Sequence, residues 1–449
     1  MISPVPTSDD GWHRLHPLSP VVRAGRTLLA LVPIFLGTMA PGARGGPRGV
    51  LSHVVIGGAL LVAGVVSWVV TRWRVDNGDL WIESGLLCRS SQRFPLTQVQ
   101  AIDIVRPLLA RGLGLAELRL RMGGATGGSG RLAYLPAAQA DTVRAELLAL
   151  GHGRAGAVSQ SGQVSMIMPA APADALLVAV PTARLVASIL LSRAAVVALV
   201  AAVALAIVQL TAPQDVVPII GSSGAGALGL LTVLWRRFNG NYRLTVVDAT
   251  DGLRLSSGLL ETTAETIPRG RIQAVRMVEP LLWRPLGWCR VEVDVAGRQH
   301  RGEENAAEGR QLRAVLPVGT RAEAAALLDV VLPGAPADRS RPPARARLKS
   351  PLRFHNLAWG GNADSVVTTS GRVSRVTAWV PMNKVQSLRR VQGPVQRLLN
   401  LSTIYLDTAG RSVHSALRDR DASDADRILD DLTRACRDAR RAPARANVA

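Results

Sequence analysis

The chain repeats one short pattern three times, and this repeat constrains the fold more than any other feature. In the first two copies Gly, Pro, Gln, Pro and Gly follow in steps of 10, 5, 7 and 7 residues. These positions are Gly85, Pro95, Gln100, Pro107 and Gly114, then Gly258, Pro268, Gln273, Pro280 and Gly287. A third copy keeps Gly371, Pro381, Gln386 and Pro394. The sequence therefore predicts three related modules.

Each copy has a strand pattern followed by a helix pattern. Val291, Val293 and Val295 alternate with charged residues, which is typical of a half-buried strand. The Ser-Gly steps that contain Gly85, Gly258 and Gly371 lie between such runs, where glycine permits a tight hairpin. Apolar residues at helical spacing then predict a closing helix for each module, at 138–150, at 322–332 and after Ser423.

Four apolar runs of about 20 residues predict membrane-spanning helices, because that length crosses a hydrocarbon core of about 30 Å. The runs are Val21–Ala40, Val50–Val70, Ala194–Ala212 and Val216–Trp235. They pair into two hairpins, each of which precedes one copy of the repeat. Arginines concentrate on the side of the hairpins away from their turns, which predicts cytoplasmic modules and a multi-pass protein of the inner membrane.

This interpretation divides the chain into nine segments. The predicted order is a cytoplasmic segment 1–20, a hairpin 21–71, module one 72–151, a linker 152–183, a hairpin 184–235, module two 236–333, a basic linker 334–350, module three 351–438 and a basic tail 439–449. The second linker carries arginines among prolines, which is typical of an extended tether.

Composition narrows the function classes. The net charge is +20, which favours anionic surfaces, but no nucleic-acid-binding motif accompanies it. The three cysteines, Cys88, Cys289 and Cys436, are too far apart for a disulfide framework or a zinc site. The histidines lack metal-ligand spacing, and no nucleophile motif is found. We therefore expect no catalytic, cofactor or metal site.

The candidate binding residues are arginines beside the predicted spans. Arg72, Arg74, Arg236 and Arg237 are candidates for contact with anionic lipid headgroups, or they only set the topology. The repeated glutamines either contact a shared ligand or satisfy backbone groups at a strand irregularity, and we favour the second reading. The repeated prolines and glycines are interpreted as structural.

The paired apolar runs, the Ser-Gly-Leu-Leu, Phe-Pro-Leu and Val-Gln-Ala segments and the tail Pro-Leu-Leu-x-Arg-x-x-Gly-Leu together resemble bacterial pleckstrin-homology-like membrane proteins of the YdbS/YdbT type. The resemblance implies small β-barrel modules, each closed by a C-terminal helix. The predicted fold class is thus membrane α plus cytoplasmic α+β, with four transmembrane helices and three modules.

The leading hypothesis for function is a non-enzymatic membrane-anchored scaffold. Its modules would bind a protein partner, one another or anionic lipid, since linked weak sites gain from effective concentration. The alternative is an accessory component of an export or peptide-resistance membrane complex, in which the spans form a path.

Overall fold

The computed structural model divides into two compact units, one of residues 1–171 with 259–266 and one of residues 172–258 with 267–449. It describes residues 13–14, 17–20, 22, 58, 62, 65–66, 68–76, 79–85, 90–122, 129–151, 175–211, 217–249, 252–296, 312–410 and 412–441.

Unit 1 contains the first module, and its described strands are antiparallel. One sheet has the order β1-β2-β3-β4, formed by His13–Arg14, Arg72–Asp76, Asp79–Ser84 and Ser90–Pro95. The following strands β5, β6 and β7 are Val99–Pro107, Leu115–Met122 and Ser129–Pro136, and they pair in sequence order. A short helix α1, Leu108–Gly112, connects β5 to β6, and helix α2, Ala137–Gly151, ends the module.

The core of unit 1 lies between these strands and α2. Leu118 and Leu120 from β6 are fully buried, as are Leu80 from β3 and Ile102 from β5. Leu147 joins the same cluster from α2. Leu118 and Leu120 thus lie on the face of β6 that packs against the core.

Unit 2 begins with one strand and three helices. Strand β8, Ala175–Ala179, is followed by helices α3, α4 and α5, which are Thr182–Leu190, Arg193–Thr211 and Val217–Asn241. Strands β9, Thr245–Ala249, and β10, Gly252–Ser257, come next, and β9 pairs with both β8 and β10.

The remaining strands of unit 2 belong to the rest of the second module and to the third module. Strands β12, β13 and β14 are Ile272–Glu279, Trp288–Val295 and Leu312–Thr320, and helix α6, Arg321–Val331, follows them. Strands β15 to β20 are Ala358–Gly361, Ser365–Ser370, Arg375–Pro381, Val385–Val391, Leu401–Thr408 and Ser415–Asp421. Helices α7, Ala346–Lys349, and α8, Pro394–Leu398, are short, and α9, Ala422–Arg441, closes the chain's third module.

Strands of successive modules pair edge to edge. In unit 1, β5 of the first module pairs with residues 261–264 of β11, Glu261–Ile267, which the second copy of the repeat contributes. We call this ladder the first junction. In unit 2, β12 of the second module pairs with β17 of the third, in a six-stranded sheet of order β14-β13-β12-β17-β16-β15. We call this ladder the second junction.

The repeated residues occupy equivalent backbone positions in the three modules. Gly85, Gly258 and Gly371 have φ of 105°, 120° and 126°, values that side chains rarely tolerate. A shift in strand register spans each repeated glutamine, between Val99 and Ala101, between Ile272 and Ala274, and between Val385 and Ser387. The repeat therefore encodes a hairpin and a bulge at fixed places.

The segment predicted to be a tether, 334–350, is bound to the third module. Ser340 forms backbone hydrogen bonds in both directions with Trp359, at 2.7 and 3.0 Å. Buried Arg420 donates to the Ser340 carbonyl at 3.1 Å, and the Lys349 ammonium lies 2.5 Å from buried Asp419. Arg345 and Lys349 of this segment thus form ion pairs with Asp421 and Asp419 of the third module.

The prediction of four transmembrane helices in two hairpins is wrong. Among the described residues, no single helix is both long and apolar enough to cross a bilayer, and only α3 with residues 193–204 of α4 reaches that standard as a bent pair. The chain bends by 51° between these two helices, and the bend lies just before the predicted span Ala194–Ala212. Most of the first predicted hairpin, 21–71, lies outside the described residues.

The predicted location as a multi-pass inner-membrane protein with cytoplasmic modules is wrong for the same reason, because it depended on those spans. The predicted fold class changes accordingly. The described chain consists mainly of antiparallel sheet, and each module ends in a helix. The hypothesis of an export path formed by the spans loses its basis.

A buried carboxyl in unit 2 links the second and third modules. Asp294 is fully buried and accepts hydrogen bonds from the Ser412 and Val413 amides, both at 3.1 Å. Burial raises the pKa of Asp294, although these amides oppose the rise. A raised pKa means that the folded chain is more stable with the carboxyl protonated, and that stability falls as the pH rises through the folded-state pKa.

We expect Asp294→Asn to gain stability relative to the wild type as the pH rises above the usual carboxyl pKa of about 3.9. The amide oxygen can still accept from both backbone N–H groups, without a buried charge. Urea unfolding across a pH series measures the difference. Asp407→Asn controls for removing a carboxylate at the equivalent but half-exposed position of the third module. A difference that shrinks with rising pH would contradict the assignment.

Candidate functional site

The second junction forms one wall of a cavity of about 420 Å³. Strand pairing places Val275 opposite Trp379, Met277 opposite Thr377 and Glu279 opposite Arg375. Because side chains alternate along a strand, all six point to the same face of the sheet. All six line the cavity, whose size falls within the range of ligand pockets. We call it the junction cavity.

Helix α6 forms the opposite wall. Its start is fixed by a capping box, in which the Glu323 amide donates to the Thr320 hydroxyl at 3.2 Å and the Thr320 amide donates to the Glu323 carboxylate at 2.8 Å. Residues spaced by one helical turn then face the cavity, among them Arg321, Ala324 and Leu328. The segment 335–337 and Arg339 complete the lining.

A buried carboxylate organises the charges of the cavity. The Glu279 side chain is 3% exposed, and its two oxygens lie 2.6 Å from the Arg321 guanidinium and 3.8 Å from that of Arg375. A third arginine, Arg339, lies over the Trp379 ring at 5.9 Å from its centroid. The cavity thus contains three guanidinium groups, opposed by Glu279 and by exposed Asp329.

Two polar groups of the cavity wall lack hydrogen bonds. The Thr377 hydroxyl, on a residue that is 1% exposed, has no partner among the described residues, and neither has the Arg375 Nε atom. A buried polar group without a partner costs about 1–3 kcal/mol. These groups are therefore positioned to hydrogen-bond with a molecule that enters the cavity.

The environment of Arg339 lowers its pKa. Partial burial lowers the pKa of Arg339, and the charge of Arg375 lowers it further, whereas Glu279 opposes the fall. Arginine still stays protonated near neutral pH. An anionic group placed between Arg339 and Arg375 would relieve their mutual repulsion.

The buried cysteine next to the cavity is not suited to nucleophilic catalysis. Cys289 lies beside the cavity in β13, and its thiol lies near the carbonyls of Gly319 and Thr320, at 3.7 and 3.6 Å. Burial raises the pKa of Cys289 to about 12, and Glu279 adds to the rise. The thiol therefore stays protonated at neutral pH and is a poor nucleophile. Among the described residues no cluster of three or more His, Cys, Asp or Glu could hold a metal ion.

The structure distributes the predicted lipid-binding arginines over both units. Arg72 is ion-paired with Glu83 at 2.9 Å in unit 1, and Arg74 lies 3.8 Å from Asp76. Arg236 and Arg237 lie in α5 of unit 2, the first exposed and the second half-buried. No observation tests their role, which stays a prediction.

The sequence analysis did not predict a binding site at the junction cavity. Its arginines come from α6, the linker and β17, which are far apart in the sequence. The one available signal was the alternation of Arg375, Thr377 and Trp379 at period two, which gives the face of a strand but not the module that it joins.

We expect Arg321→Met to destabilise unit 2 by about 2 kcal/mol, because buried Glu279 would keep only the more distant Arg375. Chemical denaturation measures the change. Arg434→Met is the matched control, since it removes an exposed helix ion pair with Asp431 that is worth little. Equal effects of the two substitutions would contradict a special role for the Glu279 cluster.

Comparison with known proteins agrees with the threefold repeat. A family model described as the bacterial PH domain matches three times, at residues 27–151, 175–335 and 314–435. No curated protein matches the chain. Since the three matches together cover most of the sequence, the chain belongs to the bacterial PH domain family.

Proposed function

We propose that this chain is a non-enzymatic interaction scaffold whose PH modules bind protein partners. PH domains are typically interaction modules without catalytic activity, which supports a general binding role for the three copies. Several modules in one chain also favour binding of linked partners, because the first contact raises the effective concentration for the second.

The junction cavity is the proposed partner site. Most of its lining is apolar, including Val275, Met277, Leu328 and Trp379, and such surface gains free energy when a partner covers it. Its polar groups are mainly donors, and three of them are guanidinium groups that favour carboxylates. The partner that fits this chemistry is a protein segment with an apolar side chain next to a carboxylate.

The single observation that carries this proposal is the unpaired Thr377 hydroxyl in the wall of an apolar, arginine-rich cavity. A hydroxyl that served only the fold would be expected to find a partner within the fold. Binding sites commonly retain such groups at a cost in stability.

Anionic lipid remains the other ligand class for the predicted arginines. Arg72 and Arg74 already have acidic neighbours, which reduces the positive charge available to headgroups. Lipid binding therefore enters as an outcome of the test.

The partner can be captured by a photo-crosslinking amino acid placed at Leu328 in the cavity. Leu398, which is 86% exposed on α8 and outside the cavity lining, is the control position. A protein cross-linked from Leu328 and not from Leu398, with an acidic and apolar segment at the cross-link, would support the proposal. Failure to capture a protein, together with binding to anionic vesicles that Ala at Arg72, Arg74, Arg236 and Arg237 abolishes, would favour lipid.

We expect Thr377→Val to raise the stability of unit 2 by about 1 kcal/mol and to weaken partner capture severalfold. Valine has nearly the same shape but no hydroxyl, so stability and binding should change in opposite directions. Ser402→Ala removes another buried unpaired hydroxyl outside the cavity lining and should leave capture unchanged. Undiminished capture by the Val variant would contradict a role for the hydroxyl.

A further inference from the structure

The two junctions between modules use the same strands in the same register. In each copy of the repeat, one strand ends near the repeated Pro and the next begins near the repeated Gln, five residues later; we call this interval the proline–glutamine step. The first junction pairs β5, the strand after the step in the first copy, with β11, the strand before the step in the second copy. The second joins β12 to β17 in the same way. The residue five positions after the Gln pairs with the residue five positions before the Pro in both, as Val105 with Thr263 and Val278 with Val376. One rule of association is therefore used twice in the chain.

The rule leaves one strand of each kind without its partner. In unit 1, β4 is the strand before the step in the first copy and lies at the edge of its sheet. In unit 2, β18 is the strand after the step in the third copy and also lies at an edge. Among the described strands neither has a neighbour on its outer side.

Exposure follows this difference in pairing. In β18 the last three residues, Arg389 to Val391, are exposed, and in β4 Ser90 to Arg93 are exposed. Val391 is 39% exposed, whereas Val105, at the same repeat position in the first junction, is 1% exposed. The outer edges of β4 and β18 thus present unpaired backbone groups to which another strand can bind.

The arginines of β18 do not prevent such pairing. Arg389 occupies the same repeat position as Arg276, which lies within the second junction and pairs there with Ala378. Arg276 is neutralised by Glu292, with its Nε atom at 2.9 Å from the carboxylate. Arg389 and Arg390 likewise have acidic neighbours in their own module, Asp407 and Asp426.

We propose that a second copy of this chain fills both edges, so that β18 of one copy pairs antiparallel with β4 of the next. The register of the two internal junctions then places Val391 opposite Ser90 and Arg389 opposite Gln92. The contact joins different surfaces of the two copies, so each dimer keeps one free edge of each kind. Assembly therefore continues head to tail into rings or filaments.

Cysteine cross-linking between two singly substituted chains tests this pairing. One 449-residue chain carries Val391→Cys and the other Ser90→Cys, both with Cys88→Ser, while Cys289 and Cys436 are buried. Mixing the two followed by mild oxidation or a short bismaleimide is expected to give a product of twice the chain mass. Ser91→Cys, one residue out of register, should react severalfold less, and Arg434→Cys on exposed α9 in place of Val391→Cys should give background only.

Two results would overturn the proposal. One is a mixture that yields no more product than the Arg434→Cys control. The other is a chain with both Val391→Cys and Ser90→Cys that cross-links without an increase in mass while the mixture does not, because that shows closure within one copy. Sedimentation velocity of the wild-type chain gives an independent check, since a sedimentation coefficient that stays at the value of a single chain over a concentration series also contradicts head-to-tail assembly.

Discussion

Pairing of strand edges is the interaction on which this chain's organisation depends. An edge strand presents backbone groups that must bond to water, to another strand or to a covering element. Here β5 bonds to a strand contributed by the second copy of the repeat, and β12 bonds to β17 of the third. The first and second modules thus each pair a strand with the module that follows, so successive modules of this chain are joined by more than their linkers.

The junction cavity is a consequence of this pairing. Glu279 comes from the second module and Arg375 from the third, and they meet because β12 and β17 share one ladder. Arg339 reaches the same place because the segment before the third module is held by Ser340 and Trp359. A binding surface built in this way requires both modules, so a substitution that opens the second junction should remove the site together with the sheet.

The sequence predicted features that depend on neighbouring residues, such as strands and repeated modules, but it did not predict features formed by residues far apart in the chain. The repeat predicted three modules, and the period-two pattern at Val291, Val293 and Val295 lies in strand β13. The membrane prediction rested on the length of the apolar runs alone, and it failed because no single helix among the described residues is both long and apolar enough to cross a bilayer. The cavity was not predictable, since the partner of an edge strand depends on backbone groups that every residue shares.

Because backbone hydrogen bonds carry the pairing, the side chains at a junction are free to diverge. The same repeat positions hold Arg106 opposite Thr262 in the first junction and Glu279 opposite Arg375 in the second. One geometry therefore presents two different chemical surfaces. Duplication of a module that pairs through its strand edges therefore gives a chain a new surface at each junction without a new fold. The third copy matches the repeat less closely but still pairs, because the second copy binds its strand backbone through hydrogen bonds that do not depend on side chains.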